Sequence, residues 1–231
     1  MKLALLADIH GNHLALEAVL ESVKTYEVDK LLIAGDFVGY YYWPKEVFEL
    51  LTPWDVTAIG GNHEEMLIKA KKDSKFLKSV DAKYGKGLRV ALELLTTEQM
   101  DWLSNLPFSL EFDAEDRKIL LCHGSPWDHD FYIYPDADEA IEKCVSMNYD
   151  WIVLGHTHYP MVHRSNKTTI VNPGSVGQPR NRKPGACWAL IDTKTLEVNT
   201  FCVGYDSRFV VAESLRRNPD LPYLANVLER T

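Results

Sequence analysis

The feature that most constrains this chain is a phrase repeated along its opening third: an apolar run of strand length, a short polar loop, then a helix-forming segment. Lys2 to Ala7 forms a buried strand, and beyond it Leu16, Val19, Leu20 and Val23 recur at helical spacing while Glu17, Glu21 and Lys24 face away. Lys30 to Ala34 is a second strand, Pro44 suits the first turn of a helix through about Leu51, and Asp55 to Ile59 is a third strand. Strands alternating with helices predict a parallel sheet with crossover connections.

Residues 64 to 105 carry helical composition, with Thr96 and Gln99 spaced as a capping box before a short helix that stops near Pro107. This region is expected to form a helical cap over a site. Strands then dominate. Ser109 to Phe112 and Lys118 to Cys122 flank a polar turn at Asp113 to Asp116, a helix runs near Asp136 to Val145, and Trp151 to Leu154 is a further strand. Hairpin-like strands follow around residues 160 to 172 and 186 to 203, and residues 206 to 231 form a helical tail broken at Asn218-Pro219.

No linker divides the 231 residues, so a single domain spanning 1–231 is expected. The longest apolar runs fall far short of the roughly 20 residues that span a bilayer. The opening Met1 to Ala7 is interrupted by Asp8 and His10 before any cleavage site, which predicts a cytoplasmic chain that begins here. Cys122, Cys144, Cys187 and Cys202 are too scattered for a disulfide framework or a thiolate metal site and read as reduced thiols. A net charge of −8 argues against a broad surface for long nucleic acid, but a small phosphorylated substrate at a local cationic site escapes that argument.

Five polar motifs sit directly after apolar strands, where the loops of an open α/β sheet gather around a crevice. They are Asp8-Ile9-His10, Gly35-Asp36, Gly60-Gly61-Asn62-His63-Glu64, Cys122-His123-Gly124 and Gly155-His156-Thr157-His158. Each alone has a bland explanation: a capping Asp beside a surface His, a turn Asp, an N-cap Asn, a hydrogen-bonded core His. The last motif is more specific, because two imidazoles at period two serve a metal well and have little structural purpose. Together they supply two carboxylates, four imidazoles and one amide, a mixed N/O set suited to Mn²⁺, Fe, Zn²⁺, Ni²⁺ or Co²⁺.

In this order the motifs resemble the signature of the calcineurin-like metallophosphoesterase superfamily: D-x-H, G-D, G-N-H-[DE], H and G-H-x-H. The resemblance continues through Asn172-Pro173-Gly174-Ser175-Val176-Gly177-Gln178-Pro179-Arg180, which is similar to the segment after the last ligand in compact bacterial and archaeal phosphodiesterases. It implies an α/β fold, a two-sheet β-sandwich flanked by helices in four layers. It also implies two divalent transition-metal ions, one on Asp8, His10, Asp36 and His158 and the other on Asp36, Asn62, His123 and His156. A hydroxide shared by the ions would attack phosphorus, and His63, left off the metals, would act as general acid. The chain is accordingly expected to be a phosphodiesterase, manganese being a suitable ion, with a dinucleoside polyphosphate hydrolase and a non-catalytic scaffold of the same fold as the alternatives.

The chain departs from the superfamily's Ser/Thr protein phosphatases, whose second motif continues with an Asp that orients the acidic His and an Arg that grips phosphate. Gly39 and Tyr40 stand there instead, which disfavours a protein phosphatase and leaves Glu64 as the candidate partner of His63. Arg180 is a candidate replacement for the missing cationic grip, and the Asn172 to Gly177 turn either aims N–H groups at an anion or merely reverses the chain. Two aromatic runs, Tyr40 to Trp43 and Trp127 to Tyr134, adjoin the motifs. Tyr41 and Trp127 are candidates for stacking a nucleotide base, the alternative being a hydrophobic wall or a contact between copies in a homo-oligomer.

Overall fold

In the computed structural model, which describes residues 1–230, the opening phrase takes the expected form. β1 (Lys2–Leu6), β2 (Lys30–Ile33) and β3 (Val56–Ala58) lie parallel and are connected by α1 (His13–Lys24) and α2 (Pro44–Leu51). Asn12 starts α1 by accepting from Ala15 N at 3.2 Å, and Pro44 occupies the first turn of α2, where no N–H is needed. The third strand is shorter than its sequence suggests, although Ile59 N still donates to Ile33 O at 3.1 Å beyond its end.

α3 (Asn62–Lys72), α4 (Ser74–Tyr84), α5 (Gly87–Leu94) and α6 (Thr97–Ser104) follow, the last with the predicted capping box. These helices do not form a separate cap. Leu67, Val80, Leu88, Ala91 and Leu103 join Ala4, Leu6, Leu31 and Ile33 in one apolar cluster, so the four helices cover the outer face of the first sheet beside α1 and α2. One face of α3, the end of α4 and the start of α5, where Gly87 packs on Gly39 and Tyr40, approach the site described below.

The second sheet comprises β4 (Ser109–Ala114), β5 (Arg117–Cys122), β6 (Trp151–Val153), β7 (Met161–Arg164) and β8 (Thr169–Asn172), in the order β4-β5-β6-β8-β7. Its hairpin turn is tighter than expected. Asp113 pairs with Lys118 and Ala114 with Arg117, leaving Glu115 and Asp116 to turn the chain, Glu115 at φ 58°. α7 (Asp138–Val145) covers the outer face through Ile141 and Cys144 against Leu120, Ile152 and Ile170.

β9 (Ala186–Asp192) and β10 (Glu197–Val203) then return to the first sheet, giving the order β10-β9-β1-β2-β3. They run antiparallel, so the purely parallel sheet read from the first sixty residues becomes a mixed one. Both sheets have five strands, and they pack face to face through Leu3, Leu5, Ala7, Leu32 and Ala34 on one side and Ile119, Leu121, Val153 and Val171 on the other. β1 is therefore buried on both faces, which explains why its sequence shows no polar alternation. The layers are helix, sheet, sheet, helix.

α8 (Arg208–Arg217), α9 (Tyr223–Asn226) and a 3₁₀ turn at Val227–Glu229 form the tail, interrupted near Asn218 as expected; Thr231 lies outside the described residues. Among the described residues no helix is long and apolar enough to cross a membrane. Cys122, Cys144 and Cys187 are buried free thiols, whereas Cys202 is exposed on the edge strand.

Candidate metal centre

All five motifs leave their strands at the same end of the sandwich. Asp8 and His10 follow β1, Asp36 follows β2, Asn62 opens α3 after β3, His123 follows β5, and His156 and His158 follow β6. Asp8, His10, Asp36, His156 and His158 all have left-handed backbones, with φ between 52° and 65°. Such a conformation costs a non-glycine residue of order 1 kcal/mol or more, and it persists only where surrounding structure enforces it. Here the loops brace one another: Asp8 N donates to Gly35 O at 3.1 Å, His10 N to Asp36 O at 2.9 Å, and His156 N to the Asp8 carboxylate at 3.1 Å.

The side chains converge on two points. Asp8, His10, Asp36 and His158 offer ligand atoms within 4.8 Å of one another, and so do Asp36, His123 and His156. Asp36 belongs to both groups. Asn62 joins the second, its Oδ1 standing 3.1 Å from His123 Nε2. Gly61 permits this crowding, since a Cβ there would lie 2.2 Å from Asp36 Oδ1.

The outward nitrogen of each imidazole meets a backbone carbonyl. His10 Nδ1 donates to Val38 O (3.1 Å), His123 Nδ1 to Ala34 O (2.6 Å), His158 Nδ1 to Gln178 O (2.6 Å) and His156 Nε2 to Asp130 O (3.2 Å). A carbonyl can only accept, so these contacts place a proton on the outer nitrogen and turn the inner nitrogen toward the centre. The consequence is sharpest between His10 and His158, whose Nε2 atoms are 3.0 Å apart. Two lone pairs at that distance repel unless a cation lies between or beside them.

Electrostatics agree. Burial holds His10 and His158 well below the ordinary imidazole range and His156 at about 4, so these rings are neutral. Burial also pushes Asp8 up to about 8. It works against the Asp36 carboxylate too, but His123, His63 and His10 hold that group well below its usual range. Burial opposes charge on His123, and the neighbouring Asp36 overcomes it and pushes the ring up to about 10. Three of the imidazoles are therefore neutral, and His123 carries a proton that offsets Asp36. A divalent ion can take that proton's place, and the neutral donors and buried carboxylates present fit such ions.

His63 lies beside both groups, its ring centre 4.6 Å from His10 and 4.7 Å from Tyr40. Its Nδ1 is enclosed without a hydrogen-bond partner and presses on Gly39, where a Cβ would lie 2.0 Å away. Gly39 thus offers no side chain to orient this nitrogen, and the ring occupies the place a Cβ would take. Glu64 is not the partner. Its carboxylate accepts from Asp36 N (2.8 Å), Phe37 N (2.9 Å), Val38 N (3.3 Å) and Gly61 N (2.8 Å), latching the second loop to the third.

Arg180 Nη2 donates to the Tyr40 hydroxyl at 3.0 Å and to Gln178 Oε1 at 3.1 Å, which places the guanidinium over the tyrosine beside the site. The Asn172 to Gly177 turn presents no anion-binding nest. Val176 N donates to Ala7 O, Gly177 N to Asp8 O and Gly174 N to Asn172 Oδ1, so the turn braces the first loop instead. The stacking candidates need correction as well. Tyr41 is fully buried with its hydroxyl donating to Leu224 O at 3.0 Å, and it has no face to offer a base. Trp127 packs beside α7, with Lys143 Nζ 3.7 Å over its ring, and lines a surface depression apart from the ligands. The aromatics that border the centre are Tyr40, Tyr84, 5.7 Å from His63, and Tyr132, 4.0 Å from His156.

The comparisons with known proteins lead to the same fold and chemistry. The chain is 27% identical to a metallophosphoesterase from Sphaerobacter thermophilus, with a TM-score of 0.82 over 100% of this chain and 98% of that one. It is 25% identical to a hypothetical protein from Pyrococcus horikoshii, with a TM-score of 0.84 over 98% and 97% of the two chains. Phosphodiesterase YfcE of Escherichia coli K12 is 26% identical over 209 residues, covering 86% of this chain and 91% of its own. The model of the calcineurin-like phosphoesterase superfamily domain matches residues 1–196, and the chain belongs to that metal-dependent family.

Proposed function

We propose that this chain is a phosphodiesterase that hydrolyses a small phosphate diester at a two-ion centre, with Asp36 bridging, Asp8, His10 and His158 completing one ligand set and Asn62, His123 and His156 the other. The observation that carries the reading is the pair of convergent clusters sharing a single carboxylate. When bound, the ions would polarise the phosphoryl oxygens and acidify a water for attack on phosphorus.

The remaining work falls to the protein. Four backbone carbonyls hold the imidazoles in their metal-binding tautomer. Arg180, steadied by Tyr40 and Gln178, presents its charge to a non-bridging phosphate oxygen. Because Nδ1 of His63 is enclosed, Nε2 is the nitrogen that delivers a proton to the departing oxygen. Burial holds this ring at about 4, so it carries a proton only with negative charge beside it, as on the departing oxygen.

A scaffold without catalysis has no need for seven convergent donor residues with fixed tautomers, and none is missing here. The deciding experiment is a panel with Mn²⁺ comparing aryl diesters, aryl monoesters, cyclic nucleotides and diadenosine tetraphosphate. Diesters should turn over fastest. A preference for diadenosine tetraphosphate would replace this reading with a polyphosphate hydrolase, and inactivity with every metal would favour the scaffold.

A further inference from the structure

We infer that the cavity beside Asn62 binds a second anionic group of the substrate, so that the natural diester carries on one side an aromatic or nucleoside ring bearing a further phosphate. This rests on the phosphodiesterase reading and specifies its substrate class.

The cavity holds about 410 Å³, within the range of small-molecule sites, and it opens onto the second ligand set through Asn62. Helix α3 supplies one wall. Asn62, Glu65, Met66 and Lys69 recur at i, i+3, i+4 and i+7 and all line it, so the ligand stripe continues directly into a lysine. At a rise of about 1.5 Å per residue, Lys69 stands roughly 10 Å along the axis from Asn62. Lys83 joins it from the end of α4. The Lys69 ammonium lies 4.3 Å over the Phe76 ring and the Lys83 ammonium 4.7 Å over the Tyr84 ring, contacts that steady both charges in the cavity wall.

The acids in the same wall stand outside ion-pair distance of the lysines. Glu65 contacts His129 at 2.8 Å, and Asp130 places its carboxylate 3.4 Å from His156 Nε2 while also acting on Lys83 from a distance. Among the described residues neither lysine has a carboxylate within ion-pair distance, so their charges face the cavity without a direct counter-ion. Between the lysines and the ligands, Tyr84 and Tyr132 offer rings to a planar group. A diester placed on the ions would direct one substituent along this path, its ring against the tyrosines and a second phosphate at the ammonium groups.

The test compares thymidine 5′-(p-nitrophenyl phosphate) with the same ester carrying a 3′-phosphate, in the wild type and in the Lys69→Gln/Lys83→Gln double variant, both Mn²⁺-loaded. Two ion pairs at a partly exposed site predict a KM lower by about tenfold for the 3′-phosphorylated ester in the wild type, with the ratio falling to about one in the variant. Calorimetric binding of thymidine 3′,5′-bisphosphate, which needs no turnover, should weaken by a similar factor in the variant. An unchanged KM on adding the 3′-phosphate, or an advantage and a binding constant that survive both substitutions, would overturn the assignment. Absence of hydrolysis of both esters, with bisphosphate binding still dependent on the lysines, would instead sink the phosphodiesterase reading and leave the anion site standing.

Discussion

The two ligand sets share Asp36 but stand in different surroundings. Asp8, His10 and His158 are enclosed: each is at most 2% exposed, and Tyr40 sits edge-on against His10 beneath the guanidinium of Arg180. In the second set His123 and His156 are nearly as enclosed, the latter covered by Tyr132 and the carbonyl of Asp130, but Asn62 is only half buried and opens onto the cavity. One set is closed like a core, and the other has a doorway at Asn62. Burial that strengthens the hold on an ion also restricts access to it, so the enclosed set suits retention and the open set suits contact with substrate.

Asp36→Asn tests this contrast most severely, because it removes the charge common to both sets. Metal content and hydrolysis should fall together, activity by at least about 10³-fold, since stabilisation by bound ions is worth several kcal/mol. Elemental analysis finding two tightly held ions in an active Asp36→Asn protein would end the two-ion assignment. His63→Ala should spare both sets while slowing alkyl or nucleoside esters by about 10²- to 10⁴-fold and aryl esters little, because only poor leaving groups need the proton. Parallel plots of rate against leaving-group basicity for mutant and wild type would refute that role.

Replacing one residue from each set separates them more finely. His158→Ala leaves the buried Gln178 carbonyl without its donor, which should cost about 1–3 kcal/mol even in metal-free protein. Asn62→Ala should remove an ion with less than about 1 kcal/mol of apoprotein stability, as its half-exposed side chain braces little. Denaturant titration of the two apoproteins compares them directly, and equal losses would abolish the distinction between core and doorway. The smallest effect concerns the aromatics. Tyr132→Ala should raise KM for nucleotide esters severalfold by removing one stacking face, whereas Trp127→Ala should change it less than about twofold. Steady-state kinetics showing the reverse would put the substrate on the α7 side.

Much of this was legible because β1, β2, β3, β5 and β6 are short apolar runs that stop abruptly at polar residues. The side chains that follow have one place to go, and Asp8, His10, Asp36, Asn62, His123, His156 and His158 do converge there. Orientation was harder to read. Tyr40 takes a left-handed backbone, at φ 52°, and that reversal sends Tyr40 toward the histidines while Tyr41 goes into the tail helices, an exchange that a run of three tyrosines cannot reveal. Glu64 was misplaced for a related reason. Its partners are four backbone N–H groups from two loops, and backbone donors carry no mark in a sequence. The helices from Asn62 to Ser104 were visible from their apolar stripes, but a stripe does not say which surface it will cover.

The strand ends also determine how the molecule should fail when heated. His156 N reaches the Asp8 carboxylate across 148 residues of chain, and the first ligand set draws Asp8, His10 and Asp36 from one sheet and His158 from the other. An ion seated there is a rivet through the sandwich. It binds only when both sheets are in place, so the free energy of binding adds to that of folding by mass action. Unfolding of the loaded protein must then begin by tearing the rivet out or by fraying an edge that does not touch it. Shelf life at high temperature would follow metal occupancy more closely than it follows the quality of the apolar core.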